Sequence, residues 1–103
     1  MVDEAILAIA KNFLKQIPAE LNVTKSFLFG SSARGNERKE SDIDIALVVA
    51  NIPDFFYTHT QLRKIRRKID LWIKPHPIRE QNFNQLNPFA SEIEQTGIEI
   101  RIW

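Results

Sequence analysis

The chain has 103 residues and a mass of 12.0 kDa, with 44% apolar and 26% charged residues, 14 Lys and Arg against 13 Asp and Glu, and no cysteine. A chain of this mass exposes roughly 17,000 Å² unfolded and roughly 6,000 Å² folded, which allows one core and excludes two, so residues 1–103 are expected to form a single domain. The formal net charge of +1 excludes a global field for nucleic acid or membrane, and zero Cys excludes a disulfide framework and any thiolate-held metal.

No stretch reaches the roughly 18 apolar residues of a membrane span. The nearest, Ala5 to Ala10, is short and flanked by Asp3, Glu4 and Lys11, unlike a secretory signal, so a cytoplasmic protein with no membrane partner is expected. Ile6, Ile9, Phe13 and Ile17 recur at three- and four-residue steps, predicting a helix from about Asp3 to Gln16 that Pro18 stops. Lys25 to Phe29 reads as a short strand running into Gly30. Ser41 to Val49 reads as a second strand, with Ile43, Ile45, Leu47 and Val49 on one side and Asp42 and Asp44 on the other.

Asp54 is the expected N-cap of a second helix, with Phe55, His59, Leu62 and Ile65 as its buried stripe and His59 as a core histidine. Ile69 to Lys74 reads as the next strand, placing Asp70, Trp72 and Lys74 on one face and Ile69, Leu71 and Ile73 on the other. His76, between Pro75 and Pro77, is expected at the surface of a rigid loop beyond it. Asn87 and Pro88 open a third helix, Gly97 closes it, and Ile98, Ile100 and Ile102 alternate in a last strand. Helices and strands interleave, so the expected fold is α+β (α/β): a small mixed sheet with helices packed on one face and the other face open. On that open face Asp42, Asp44 and Asp70 would be displayed together.

Asp42 and Asp44, two residues apart on a strand, project from one face with Cα atoms roughly 6.5–7 Å apart. At about 5 Å and an effective dielectric of 20, two such charges repel by on the order of 3 kcal/mol, which a divalent cation would offset. Oxygen-only ligands favour Mg²⁺ or Mn²⁺ over zinc, while the bland alternative is a solvated pair at a strand end.

Upstream, Phe29-Gly30-Ser31-Ser32-Ala33-Arg34-Gly35 places a turn-forming glycine and two hydroxyls where phosphate could be held, although an ordinary strand-to-helix turn has the same composition. A P-loop shares the Gly30 and Gly35 spacing but requires Lys-Ser/Thr where Asn36-Glu37 stands, and Ser32 occupies the second glycine of a dinucleotide fingerprint.

Together, Gly30-Ser31, ten residues, then Asp42-Ile43-Asp44 form the pattern G-S-x10-D-x-D, with Asp70 in Lys68-Ile69-Asp70-Leu71 following. This combination resembles the minimal nucleotidyltransferases of the DNA polymerase beta-like superfamily over nearly the whole chain, with no departure at these positions. The resemblance implies the nucleotidyltransferase fold and Mg²⁺-dependent transfer of AMP, or another NMP, with ATP as substrate. It implies two Mg²⁺ ions (Mn²⁺ in their place) bridged by Asp42 and Asp44, with Asp70 completing one site and able to accept the acceptor's proton. Gly30 and Ser31 would hold the β- and γ-phosphates; Arg34 would either touch the triphosphate or form a structural ion pair.

The resemblance further implies an antitoxin that adds AMP to a tyrosine of a HEPN-domain ribonuclease toxin and so neutralises it. The alternative is a non-catalytic module that masks its partner by binding. Arg63, Lys64, Arg66, Arg67 and Lys68 put five cations in six positions. A solvated helix face is favoured over direct nucleic-acid binding, because Leu62, Ile65 and Ile69 assign the other side to the core. Packing or a protein interface is the expectation for Trp72, and Trp103 is terminal.

Overall fold

The computed structural model describes residues 3–30 and 42–102. Helix α1 spans Glu4–Lys15, where Asp3 accepts a hydrogen bond from the Ala5 amide at 2.7 Å and so satisfies one of the first turn's unpaired N–H groups. Its Ala10, Phe13 and Leu14 are buried, with Ile6 and Ile9 packed alongside, as the sequence spacing predicts. A 3₁₀ turn at Ala19–Leu21 follows, and Asn22 takes φ 57°, the left-handed region that asparagine tolerates better than most residues.

Strand β1 runs Val23–Phe29 and β2 runs Ile43–Val49, antiparallel to each other. Helix α2, Phe55–Arg66, starts at Asp54, whose carboxylate accepts from the Tyr57 amide at 3.0 Å. It crosses over to β3, Ile73–Arg79, which pairs with β2 in parallel. After a 3₁₀ turn at Glu80–Asn82 comes α3, Pro88–Thr96, capped by Asn87, and then the short β4, Ile98–Glu99, antiparallel to β1. The sheet order among the described residues is β3-β2-β1-β4. No described helix is long and apolar enough to cross a membrane.

The α+β arrangement of a mixed sheet with helices is as expected, but the helices cover both faces, so the expectation of helices on one face with an open second face is corrected. One face carries α1 and α2: Phe13, Leu14 and Leu62 pack over Leu28, Ile43, Ile45, Leu47 and Ile73. The other face carries α3, whose Ile93 clusters with Phe27, Ala46 and Val48. β2 is apolar on both faces beyond Asp44, so the second face needs cover there, and only its Asp42–Asp44 end is left accessible.

Three local readings change. α2 buries Thr58 and Leu62 rather than Phe55 and His59; Phe55 is exposed and His59 is half-buried beside it, ring centroids 6.4 Å apart, so His59 is not a core histidine. The last strand has two residues rather than five, yet Ile100 remains tied to β1: its amide donates to the Ser26 carbonyl at 2.8 Å and its carbonyl accepts from the buried Ser26 hydroxyl at 2.9 Å.

The third change concerns β3, which begins at Ile73 rather than at Ile69 and includes Pro75, His76 and Pro77. Two prolines cannot donate to a ladder on both sides, and they are accommodated because β3 is the outermost strand of the sheet.

Candidate functional site

The site is assembled where β1 ends and β2 and β3 begin. Ile43 and Ile45 are buried beneath the helices, so Asp42, one residue ahead of β2, and Asp44, its second residue, share the opposite face. Phe29, the last residue of β1, pairs with Asp44, and Gly30 follows with φ 75°. A Cβ at Gly30 would lie 2.8 Å from Oδ2 of Asp44. Glycine is therefore needed twice over, once for the positive φ and once to leave room for the carboxylate.

The other oxygen of Asp44 has a partner. Oδ1 stands 3.0 Å from Nε2 of His76. The imidazole is itself hemmed in by rings: Phe29 lies edge-on at 5.1 Å between centroids, Phe89 of α3 lies at 6.3 Å, and Phe29 and Phe89 meet edge-to-face at 5.4 Å. Lys74 stands directly opposite Asp44 in the parallel register and shares its face. Sequence reasoning placed Lys74 on a strand and on the face of Asp70 but gave it no role at the site, and it missed His76 as a strand residue. The signal was present in the alternation of buried Ile73, Pro75 and Pro77 with Lys74, His76 and Ile78, but prolines read as loop unless the strand is known to lie at an edge.

Asp70 is not on a strand. It sits in the turn between α2 and β3, where its Oδ1 accepts from the Trp72 amide at 2.8 Å and its carbonyl accepts from the Ile73 amide at 3.2 Å. Arg66 clasps the same turn, donating to the carbonyls of Leu71 at 2.7 Å and Ile73 at 3.3 Å. The turn abuts β2 through the Ile43 amide, which donates to the Trp72 carbonyl at 2.8 Å. Among the described residues, no three His, Asp or Glu side chains are grouped to share one ion. The structure thus brings together Gly30, Asp44 and His76, places Asp42 on the same face, and turns the Asp70 carboxylate back on its own loop. Ser31 and Arg34 lie outside the described residues.

Of the basic run, Arg66 is committed to the turn, whereas Arg63, Lys64, Arg67 and Lys68 are exposed. Arg63 and Lys64 lie on α2, and Arg67 and Lys68 follow its end.

The family model described as "Polymerase beta, Nucleotidyltransferase" matches residues 10–101. The chain belongs to this nucleotidyltransferase family. It is 30% identical over 100 residues to the "Putative protein adenylyltransferase MJ0141" of Methanocaldococcus jannaschii, covering 92% of this chain and 98% of that protein. Among solved structures, a toxin–antitoxin crystal structure with AMP-PNP superposes with a TM-score of 0.64 at 21% identity, covering 90% of this chain and 70% of that one. A toxin–antitoxin MntA-HpeT structure superposes with a TM-score of 0.61 at 20% identity, covering 91% and 70%. These two likenesses establish a shared fold. As a member of the family, the chain is a nucleotidyltransferase.

Proposed function

We propose that this nucleotidyltransferase moves AMP, or another NMP, from a nucleoside triphosphate to a hydroxyl of a partner protein, and that it serves as the antitoxin of a HEPN ribonuclease toxin. The observation that carries the chemistry is Asp42 and Asp44 on one face at the start of β2, with a glycine beside Asp44 whose missing side chain leaves room for its carboxylate oxygen. The identity of the acceptor as a protein is supported by the name of the Methanocaldococcus relative. The role as antitoxin is supported by the toxin–antitoxin neighbours, and ATP as donor by the AMP-PNP in one of them.

A divalent cation fits the residues present. The donors are hard carboxylate oxygens, two of them on one face, and their mutual repulsion is offset by a 2+ charge. Asp42 and Asp44 would hold Mg²⁺, which would supply charge stabilisation for the triphosphate oxygens during transfer. In the reaction the acceptor oxygen forms a bond to the α-phosphorus, and the bond from that phosphorus to the bridging oxygen breaks. Pyrophosphate leaves with the electron pair, and the hydroxyl proton passes to solvent. Gly30, Ser31 and Arg34 are proposed to contact the phosphates. Asp70 contributes to the site through the turn it holds beside β2; the resemblance alone makes it a third cation ligand.

The test is incubation of the protein with α-labelled ATP, Mg²⁺ and the product of a neighbouring HEPN gene, with mass spectrometry of that product. A gain of one AMP mass on a hydroxyl residue is expected. Absence of any transferred nucleotide with the wild-type protein would defeat the proposal.

A further inference from the structure

We infer that His76 is a positioning residue of this site: it donates Nε2–H to Oδ1 of Asp44 and fixes that carboxylate for cation capture. The inference rests on the reading of Asp44 as a cation ligand and extends it to a residue on a different strand. An ionised carboxylate only accepts, so at 3.0 Å the proton of the pair belongs to Nε2. An exposed ion pair by itself contributes little, because two long side chains must be ordered to form it. Here that ordering is already supplied. The Asp44 side chain is 26% exposed and that of His76 41%, and the imidazole, carried by β3, meets rings from β1 and α3. Its own backbone lies between Pro75 and Pro77, which fix φ on either side. Phe29 from β1 meets the ring edge-on at 5.1 Å, and Phe89 from α3 braces both rings.

The carboxylate is therefore held at Oδ1 by β3, while Oδ2 faces the space that Gly30 leaves. Partners of this kind orient metal ligands, and their loss typically costs about 10–100-fold in metal affinity or activity. Phe29, which packs against the core on the α3 side, joins that core to the imidazole, and Phe89 meets both rings nearer the surface.

The test measures Mn²⁺ affinity directly, by electron paramagnetic resonance titration of the intact protein without nucleotide, with thermal unfolding alongside. His76→Phe retains a ring between Phe29 and Phe89 but has no N–H; it should weaken Mn²⁺ binding by about 10-fold or more with little change in unfolding temperature. His76→Gln, which restores a donor, should recover most of the loss. In transfer assays the same loss should appear as a higher half-saturating metal concentration with a largely preserved kcat. Phe89→Leu, which loosens the ring without touching Asp44, should lower the affinity to a smaller degree and serves in place of His76→Phe should that variant not fold. Unchanged Mn²⁺ affinity in a folded His76→Phe, or in Phe89→Leu when it stands in, overturns the role of His76 and leaves the Asp42–Asp44 reading standing. A wild-type protein that binds no Mn²⁺ overturns both.

Discussion

Gly30 and Asp44 approach so closely that no side chain could be built between them: a Cβ on Gly30 would lie 2.8 Å from Oδ2 of Asp44. The contact joins the end of β1 to the start of β2, and it makes a backbone requirement and a chemical one coincide. Gly30→Ala must both hold φ near 75° with a side chain and displace the carboxylate. The conformational part costs about 1–2 kcal/mol. Transfer should fall much further than stability does. Chemical denaturation measured beside the transfer assay separates the two effects, and an alanine variant with wild-type transfer would contradict the proposed closeness of turn and carboxylate.

Asp42→Asn and Asp44→Asn keep the size of the side chains and one oxygen acceptor but remove the charge that draws a cation. Each is expected to abolish nucleotide transfer without lowering the unfolding midpoint, because the change also relieves the repulsion between the two carboxylates. Chelation of divalent metal by EDTA should do the same to the wild type, and added Mg²⁺ should restore it. Toxin neutralisation by Asp44→Asn at wild-type affinity, with no need for nucleotide, would assign the protein to masking by binding.

Asp70 provides a sharp contrast. Asparagine can still accept from the Trp72 amide, so Asp70→Asn should retain both stability and most of the transfer activity. Asp70→Ala loses the bond and should cost about 1 kcal/mol in unfolding free energy. If Asp70→Asn instead loses transfer as completely as Asp42→Asn, the carboxylate leaves its turn to join the site during the reaction.

The basic run divides in the same manner. Arg66→Ala removes two bonds to the turn before β3 and should destabilise the protein by about 1 kcal/mol or more, read from urea unfolding. Alanine at Arg63, Lys64, Arg67 or Lys68 should change stability by no more than about 0.5 kcal/mol each. A mobility shift with RNA or DNA that these four substitutions remove would show that the exposed cations bind nucleic acid.

Leu62 tests the core under the site. It is fully buried between α2 and the sheet, and Leu62→Ala should cost about 2–5 kcal/mol, measured by thermal or urea unfolding.

Much of this was legible in the chain. The caps at Asp3, Asp54 and Asn87 and the alternation of Ile43, Ile45 and Leu47 with Asp42 and Asp44 are local patterns, and the helices and β2 formed where those patterns placed them. His59 was misjudged because a helical stripe of mixed aromatic and polar residues has two nearly equivalent faces, and the fit of Thr58 against the sheet chose between them. The strand placement of Asp70 failed because Ile69 to Ile73 alternates like a strand, although the Arg66 clasp and the Asp70 side chain hold its start as a turn.

By itself, the sequence determined the acidic pair and its common face, since side chains on a strand alternate whatever the strand lies beside, and it determined the glycine that admits them. Only the tertiary structure decided what surrounds Asp44. The β2–β3 register sets Lys74 opposite it, the edge position of β3 lets a proline-flanked His76 act as a strand residue, and the seating of α3 on the second face brings Phe89 to that ring. These are relations between segments far apart in the chain, governed by which apolar surfaces pack together, and no local period encodes them.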